Sequence, residues 1–250
     1  MSRRLPRGVC LSDGPVTARS EAGPLPVLED YRAFWMARSL EDMGEERGAT
    51  AAYEALLITS NNPLLHHSAR LRLAALYRAD DQPAKALPLY EEQMAHSPDQ
   101  APQLLYLLAA TSAEAKNPQG AQKWRLKLLA NYPKTRQALK SLGKLPRKPD
   151  AATAYAAAQV RHGHGQFAQA IKGVERFVRE YPRDRRVAEA RFMLARSYQG
   201  AGQYAKAEKT FKEVYDKYGR PSALYRIAGI KVRRNQEDEA IATYDRFAKR

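Results

Sequence analysis

Six pairs of alanines, each pair twelve residues apart, run through the sequence: Ala37/Ala49, Ala74/Ala86, Ala109/Ala121, Ala158/Ala170, Ala195/Ala207 and Ala228/Ala240. Successive second alanines are separated by 37, 35, 49, 37 and 33 residues. A period of this size is the spacing of helix-turn-helix units. It has a steric cause: two antiparallel helices that cross closely need a small side chain from each partner at the crossing. Strands of period two cannot produce it.

Other positions keep the same frame. One place before the first alanine stand Met36, Leu73, Leu108, Ala157, Leu194 and Ile227, expected in the core. Four places after the second come Tyr53, Tyr90, Val174, Phe211 and Tyr244; in the third unit Arg125 interrupts and the adjacent Trp124 compensates. Pro98, Pro133 and Pro182 each lie twelve residues after a second alanine, where a proline ends the second helix because it lacks the amide donor. The predicted helix pairs span 30–59, 67–97, 102–132, 151–181, 188–218 and 221–250. Residues 1–27, rich in Pro, Gly, Ser and Arg, read as an irregular leader. The 49-residue interval holds a basic insertion, 134–150, expected to be a linker between repeats one to three (28–133) and four to six (151–250). The last helix is still running at Arg250, so the repeats are expected to continue past it.

The stretch RHGHGQFAQA, Arg161 to Ala170, looks at first like a metal or phosphate loop. YQGAGQYAKA, Tyr198 to Ala207, repeats it without the histidines. Both are therefore read as turns between helices, with Gly202 in a left-handed conformation. His162 and His164 are two residues apart, which does not put two ligands on one helical face. No metal, cofactor or catalytic residue is assigned. Glu45-Glu46 and Glu237-Asp238-Glu239 open second helices, where they suit the positive end of the helix dipole. The one cysteine, Cys10, permits no internal disulfide. No apolar window reaches the length of a membrane span, and no apolar run follows Arg3-Arg4 to make a signal peptide.

The units resemble tetratricopeptide repeats, best in FAQAIKGVERFVREYP and in LARSYQGAGQYAKA followed by EKTFKEVYDKYG. The resemblance implies an all-α fold, a right-handed superhelix of about six repeats whose work is to bind protein segments. LPVLEDYRAFWMARSLEDMG and LRLAALYRADDQPAKALPLYEEQM are similar, more narrowly, to the superhelix that precedes the catalytic domain of bacterial soluble lytic transglycosylases. That likeness implies a periplasmic module orienting a catalytic domain on peptidoglycan. The E-S and G-L-M-Q-type motifs of that catalytic domain do not occur here, so no active site is expected in this chain. A free-standing adaptor, in the envelope or the cytoplasm, is the alternative.

Two sets of residues are candidates for a ligand surface. Aromatic residues stand three places before the first alanine in five units: Phe34, Tyr106, Tyr155, Phe192 and Tyr225. They either pack between neighbouring first helices or form a line of exposed rings able to meet sugar or peptide. The second set is basic. The chain carries a net charge of +15, and residues 151–250 hold 21 Lys and Arg against 11 Asp and Glu. Arg183, Arg185 and Arg186 cluster in one turn, and Lys231, Arg233 and Arg234 in another region. No nucleic-acid-binding motif accompanies them, and they form either a solvated face or a surface for an acidic partner. The resemblances above imply that such a partner is peptidoglycan or an acidic protein segment.

Overall fold

The computed structural model describes residues 26–249, with side chains from Leu28 onward. The expected leader therefore lies outside the described residues, apart from its last two, Pro26 and Val27, which open the first helix; Cys10 lies outside as well. Among the described residues the chain is all helical, with thirteen α-helices, two short 3-10 turns and no strand. The first pair is α1 (Pro26–Asp42) and α2 (Glu46–Thr59), then α3 (Pro63–Ala79) and α4 (Pro83–His96), then α5 (Ala101–Glu114) and α6 (Pro118–Asn131). A short α7 (Arg136–Ser141) intervenes. The last three pairs are α8 (Ala151–Gly163) with α9 (Phe167–Glu180), α10 (Val187–Gly200) with α11 (Tyr204–Tyr218), and α12 (Pro221–Arg233) with α13 (Glu237–Ala248).

The alanine frame holds throughout: all twelve alanines are buried, none more than 2% exposed. Of the residues one place before the first alanine, Leu73, Leu108, Ala157, Leu194 and Ile227 are buried. Met36 is not; it is 60% exposed, and Phe34, two residues earlier, is buried in the same helix. Trp124 fills the place that Arg125 cannot. Pro98, Pro133 and Pro182 each lie two residues beyond the end of a second helix.

All six turns within a pair share one device. The residue five places before the second alanine has a positive φ: Gly44, Asp81, Lys116, Gly165, Gly202 and Asn235. This left-handed residue reverses the chain at the same point each time, which keeps the twelve-residue alanine frame in register from pair to pair.

The chain divides into two compact units between His66 and His67. In the first, α1 lies against α2, with Phe34 edge-on to Tyr53 at 6.1 Å. In the second, each second helix packs on the first helix of the following pair: α4 on α5, α9 on α10, α11 on α12. Each pair thus buries an apolar face that it cannot bury alone, which is the arrangement of a helical solenoid. Its core is a succession of clusters. One runs from Ala74 and Tyr90 through Leu108 and Trp124 to Val160. The next is centred on Val174 and Phe177, and the last on Phe211 and Ile227. Within 134–150, Thr135 caps α7 through its side-chain oxygen, and Ala138 is buried in the first of these clusters. Helix α6 reaches α8 directly beside it. After the 3-10 turn at Leu142–Lys144, the chain carries Pro146 and Pro149 without further helix until Asp150 caps α8.

Candidate functional site: a basic cleft at the ends of three first helices

The candidate aromatic residues are largely engaged within their own pairs. Tyr155 lies 5.6 Å from Phe177, Phe192 lies 5.3 Å from Phe211, and Tyr225 lies 5.6 Å from Tyr244. In three pairs, Phe34–Tyr53 among them, the partner is the residue four places after the second alanine. The rings thus tie first helix to second, each contact adding about 0.5–1.5 kcal/mol beyond burial. Phe34 and Tyr155 are buried, Tyr106 and Phe192 partly so, and Tyr225 is half exposed.

Two of these rings also carry an arginine from the turn that leads into the next first helix. The Arg186 guanidinium sits 5.8 Å from the Tyr155 ring, and that of Arg220 sits 4.9 Å from Phe192. Arg186 is further held by Asp184 at 2.7 Å, and the pairing keeps the Asp184 carboxyl down at about 2. Burial pushes the Tyr155 hydroxyl up to about 12. Arg183 and Arg185 are exposed on the same turn. In the other basic region, Lys231 pairs with Glu208 and Glu239, and Arg234 with Glu208. Much of the charge that looked available in sequence is therefore matched locally.

A different group of cations is not matched. Lys134, Arg196, Arg226 and Arg233 line one cleft of about 440 Å³, together with His162, Phe167 and the glycines that end α8 and α10. No carboxylate lines it, and among the described residues none of these four cations makes an ion pair. The helices explain the assembly. Arg226 and Arg233 are seven residues apart on α12 and so share a face. Arg196 follows the crossing alanine of α10, and His162 lies in the last turn of α8. Lys134 comes from the turn before α7. Neither Arg183 nor Arg185 lines this cleft.

His162 reports the electrostatics. Its Nδ1 lies 2.9 Å from the Ser197 hydroxyl, and its ring meets that of Phe167 edge-on at 5.7 Å. Burial, then the charges of Arg196 and Lys134, hold its imidazole down at about 4, so it is neutral at neutral pH. His164 points elsewhere, its Nε2 3.1 Å from the carbonyl oxygen of Thr135. Among the described residues no three His, Cys, Asp or Glu side chains gather as a metal site would require, and no helix is long and apolar enough to cross a membrane.

Arg196, Arg226 and Arg233 do not stand out as a group along the sequence. The signal was present: in the alanine frame all three fall on first helices, Arg196 and Arg226 within two residues of the crossing alanine and Arg233 at the end of α12. Projecting the cations of successive first helices onto one another finds them, whereas clustering along the chain finds Arg183, Arg185 and Arg186.

Tetratricopeptide-repeat family models match residues 69–103, 189–220 and 222–250. No curated protein sequence matches the chain. Among solved structures, MamA "41-end" from Desulfovibrio magneticus RS-1 is 18% identical, with 74% of this chain and 94% of that one covered and a TM-score of 0.39. A tetratricopeptide repeat protein from Parabacteroides merdae is 14% identical over 89% of this chain and 80% of its own, with a TM-score of 0.39. A thermophilic TPR protein of Thermus thermophilus is 21% identical over 73% and 90%, with a TM-score of 0.36. Three of the six alanine-framed helix pairs thus match tetratricopeptide-repeat models, and the all-helical chain has the helical-solenoid arrangement that such repeats take.

Proposed function

We propose that this chain is a non-catalytic adaptor that docks an acidic segment of a partner protein across the first helices of residues 151–250. The observation that carries the proposal is the cleft: four cations without ion-pair partners among the described residues, drawn from first helices and the turn before α7, with no carboxylate lining it. Cations held on a helical scaffold give an acidic chain a fixed surface to meet, and tetratricopeptide repeats support a protein as the partner. Such attachment is screened over a Debye length of about 8 Å at physiological ionic strength.

The test is fluorescence anisotropy of labelled polyglutamate titrated with the full chain. Affinity is expected to fall steeply as salt rises. Reversing Arg196 and Arg226 to glutamate should weaken binding more than reversing Arg183 and Arg185. Binding indifferent to salt, or equal loss in the two variants, would remove the cleft from the account. The finer reading, a periplasmic superhelical module of a lytic transglycosylase, is supported by the two segments in the first half of the chain that resemble that family. Peptidoglycan peptides carry carboxylates too. Retention of the chain on purified peptidoglycan, competed poorly by polyglutamate, would favour it over the adaptor.

A further inference from the structure

The cleft holds more positive charge than a carboxylate can neutralise. Helices α8, α10 and α12 end there, at Gly163, Gly200 and Arg233. Each C-terminus contributes roughly half a negative charge, about 1.5 in sum at most. The backbone N–H groups of His164, Ala201 and Arg234 already occupy carbonyls of those last turns, which reduces that figure. Against it stand the four full charges of Lys134, Arg196, Arg226 and Arg233. An excess of two or more positive charges remains. A glutamate brings one negative charge and two acceptor oxygens. A phosphorylated serine or threonine brings about 1.5 to 2 charges and three acceptor oxygens. Arginine forks suit phosphate oxygens geometrically, and three of the four cations are arginines. The cleft, about 440 Å³, is larger than a phosphate alone and leaves room for the chain that carries it.

We infer that the cleft lined by Lys134, Arg196, Arg226 and Arg233 is a subsite for a phosphoryl dianion on a serine or threonine of the docked acidic segment. This rests on the acidic-segment reading above and names what that segment carries. His162 supports it from a second direction. Its lowered basicity reflects, after burial, the uncompensated charges of Arg196 and Lys134. Arg226 and Arg233 line the same cleft from α12, and no carboxylate lines it to offset them. A bound dianion would cancel that field, so His162 should become more basic when the site fills.

The experiment uses the full chain and three short acidic peptides that differ only at a central serine, aspartate or phosphoserine. Calorimetry should give roughly tenfold or tighter binding for phosphoserine than for aspartate, as expected for charge-assisted arginine contacts. Inorganic phosphate should compete with the phosphopeptide, and the His162 titration, followed by NMR, should move upward on binding. R196Q and R226Q should each remove most of the phosphoserine advantage, while R183Q with R185Q should leave it intact. Circular dichroism of every variant should match the parent. Equal affinity for aspartate and phosphoserine, an advantage that survives in the doubly substituted R196Q/R226Q chain, or a phosphopeptide that phosphate cannot displace would each overturn the phosphoryl inference while leaving acidic-segment docking in place. If none of the three peptides binds, the docking reading falls and this inference falls with it.

Discussion

The ring of Phe167 occupies the space that a side chain on Gly200 would need: a β-carbon built there would lie 2.5 Å from the phenyl Cζ. Gly200 ends α10, and Phe167 begins α9 of the preceding pair. This glycine therefore permits a ring-to-backbone contact between repeats, while Gly202, two residues on, supplies the left-handed turn. The ring has limited freedom to retreat because it also packs on His162. Gly200→Ala is expected to lower stability by about 1 kcal/mol. Overpacking costs about 1–3 kcal/mol, and the better helix propensity of alanine returns up to about 1. In a Phe167→Ala background the clash is gone, and the same substitution should be neutral or mildly stabilising. Urea unfolding of the four proteins checks this; an equal effect of Gly200→Ala in both backgrounds would show that Phe167 is not the obstacle.

Lys116 holds the left-handed turn position of the third pair at φ +56. Glycine occupies that place in three pairs, and Asp81 and Asn235, short polar residues more tolerant of it, in two others. A lysine there carries the crowding of its β-carbon against the backbone, a cost of roughly 1–2 kcal/mol. Its side chain is exposed, so little packing is lost with it. Lys116→Gly is expected to stabilise the protein by about 0.5–1 kcal/mol, the relief exceeding glycine's extra freedom in the unfolded chain. A thermal midpoint that falls would refute the turn as the source of strain.

The helix pairs were legible because their determinants are local and repeated. An alanine at a helix crossing cannot be exchanged for a larger residue without moving a helix, so Ala195 and Ala207 stand in the sequence where the geometry puts them. The turn device was legible only where glycine marks it, at Gly202; Lys116 carries the same conformation under an identity that gives no sign of it. The aromatic positions were found, but their direction was not. A ring at the edge of an apolar stripe can turn toward the partner helix or a neighbouring pair, and sequence spacing does not distinguish the two. Met36, expected in the core, is exposed, while Phe34, half a turn away on the same helix and left open between packing and exposure, takes the buried place. The basic cleft was hidden because charge pairing is decided in space. Lys231 looked as free as Arg233, yet Glu208 and Glu239 neutralise the first and leave the second.

Stability should depend on pH through His162. Its folded value, about 4, lies below the ordinary 6.5 of an unfolded histidine. The unfolded chain thus binds the extra proton first, between about pH 6.5 and 4. The contribution is fully present above 6.5 and is lost as pH falls through 4. The side chain is only partly buried, so roughly 1–2 kcal/mol is expected after allowance for solvent screening. Carboxylates also titrate near the acid end of this range, so the informative quantity is a difference. Wild type and His162→Gln, compared at about pH 7 and pH 4.5, should lose unequal stability, with the wild type losing more. Parallel losses would show that His162 protonates as freely in the folded protein as in the unfolded one.

Arg220 joins two successive repeats through one side chain. It precedes α12, reaches the Glu189 carboxylate on α10 at 2.5 Å, and lies over the Phe192 ring one helical turn further along α10. Arg186 lies over Tyr155 in the same way one repeat earlier, with its carboxylate supplied by Asp184 of its own turn. The arginine is about one-third exposed, so neither contact has the strength of a buried pair. An exposed ion pair contributes about 0.2–1 kcal/mol and a cation over a ring about 0.5–1. Arg220→Ala should therefore cost about 1 kcal/mol. Arg220→Lys should recover only part of it, because an ammonium lacks the flat face that stacks on Phe192. The two contributions separate in a double-mutant cycle. Coupling between Arg220→Ala and Phe192→Leu measures the stacking, and coupling with Glu189→Gln measures the ion pair and alone should shrink at high salt. Zero coupling with Phe192 would mean that the ring serves only its own pair, through Phe211, and that the arginine bridges the repeats by charge alone.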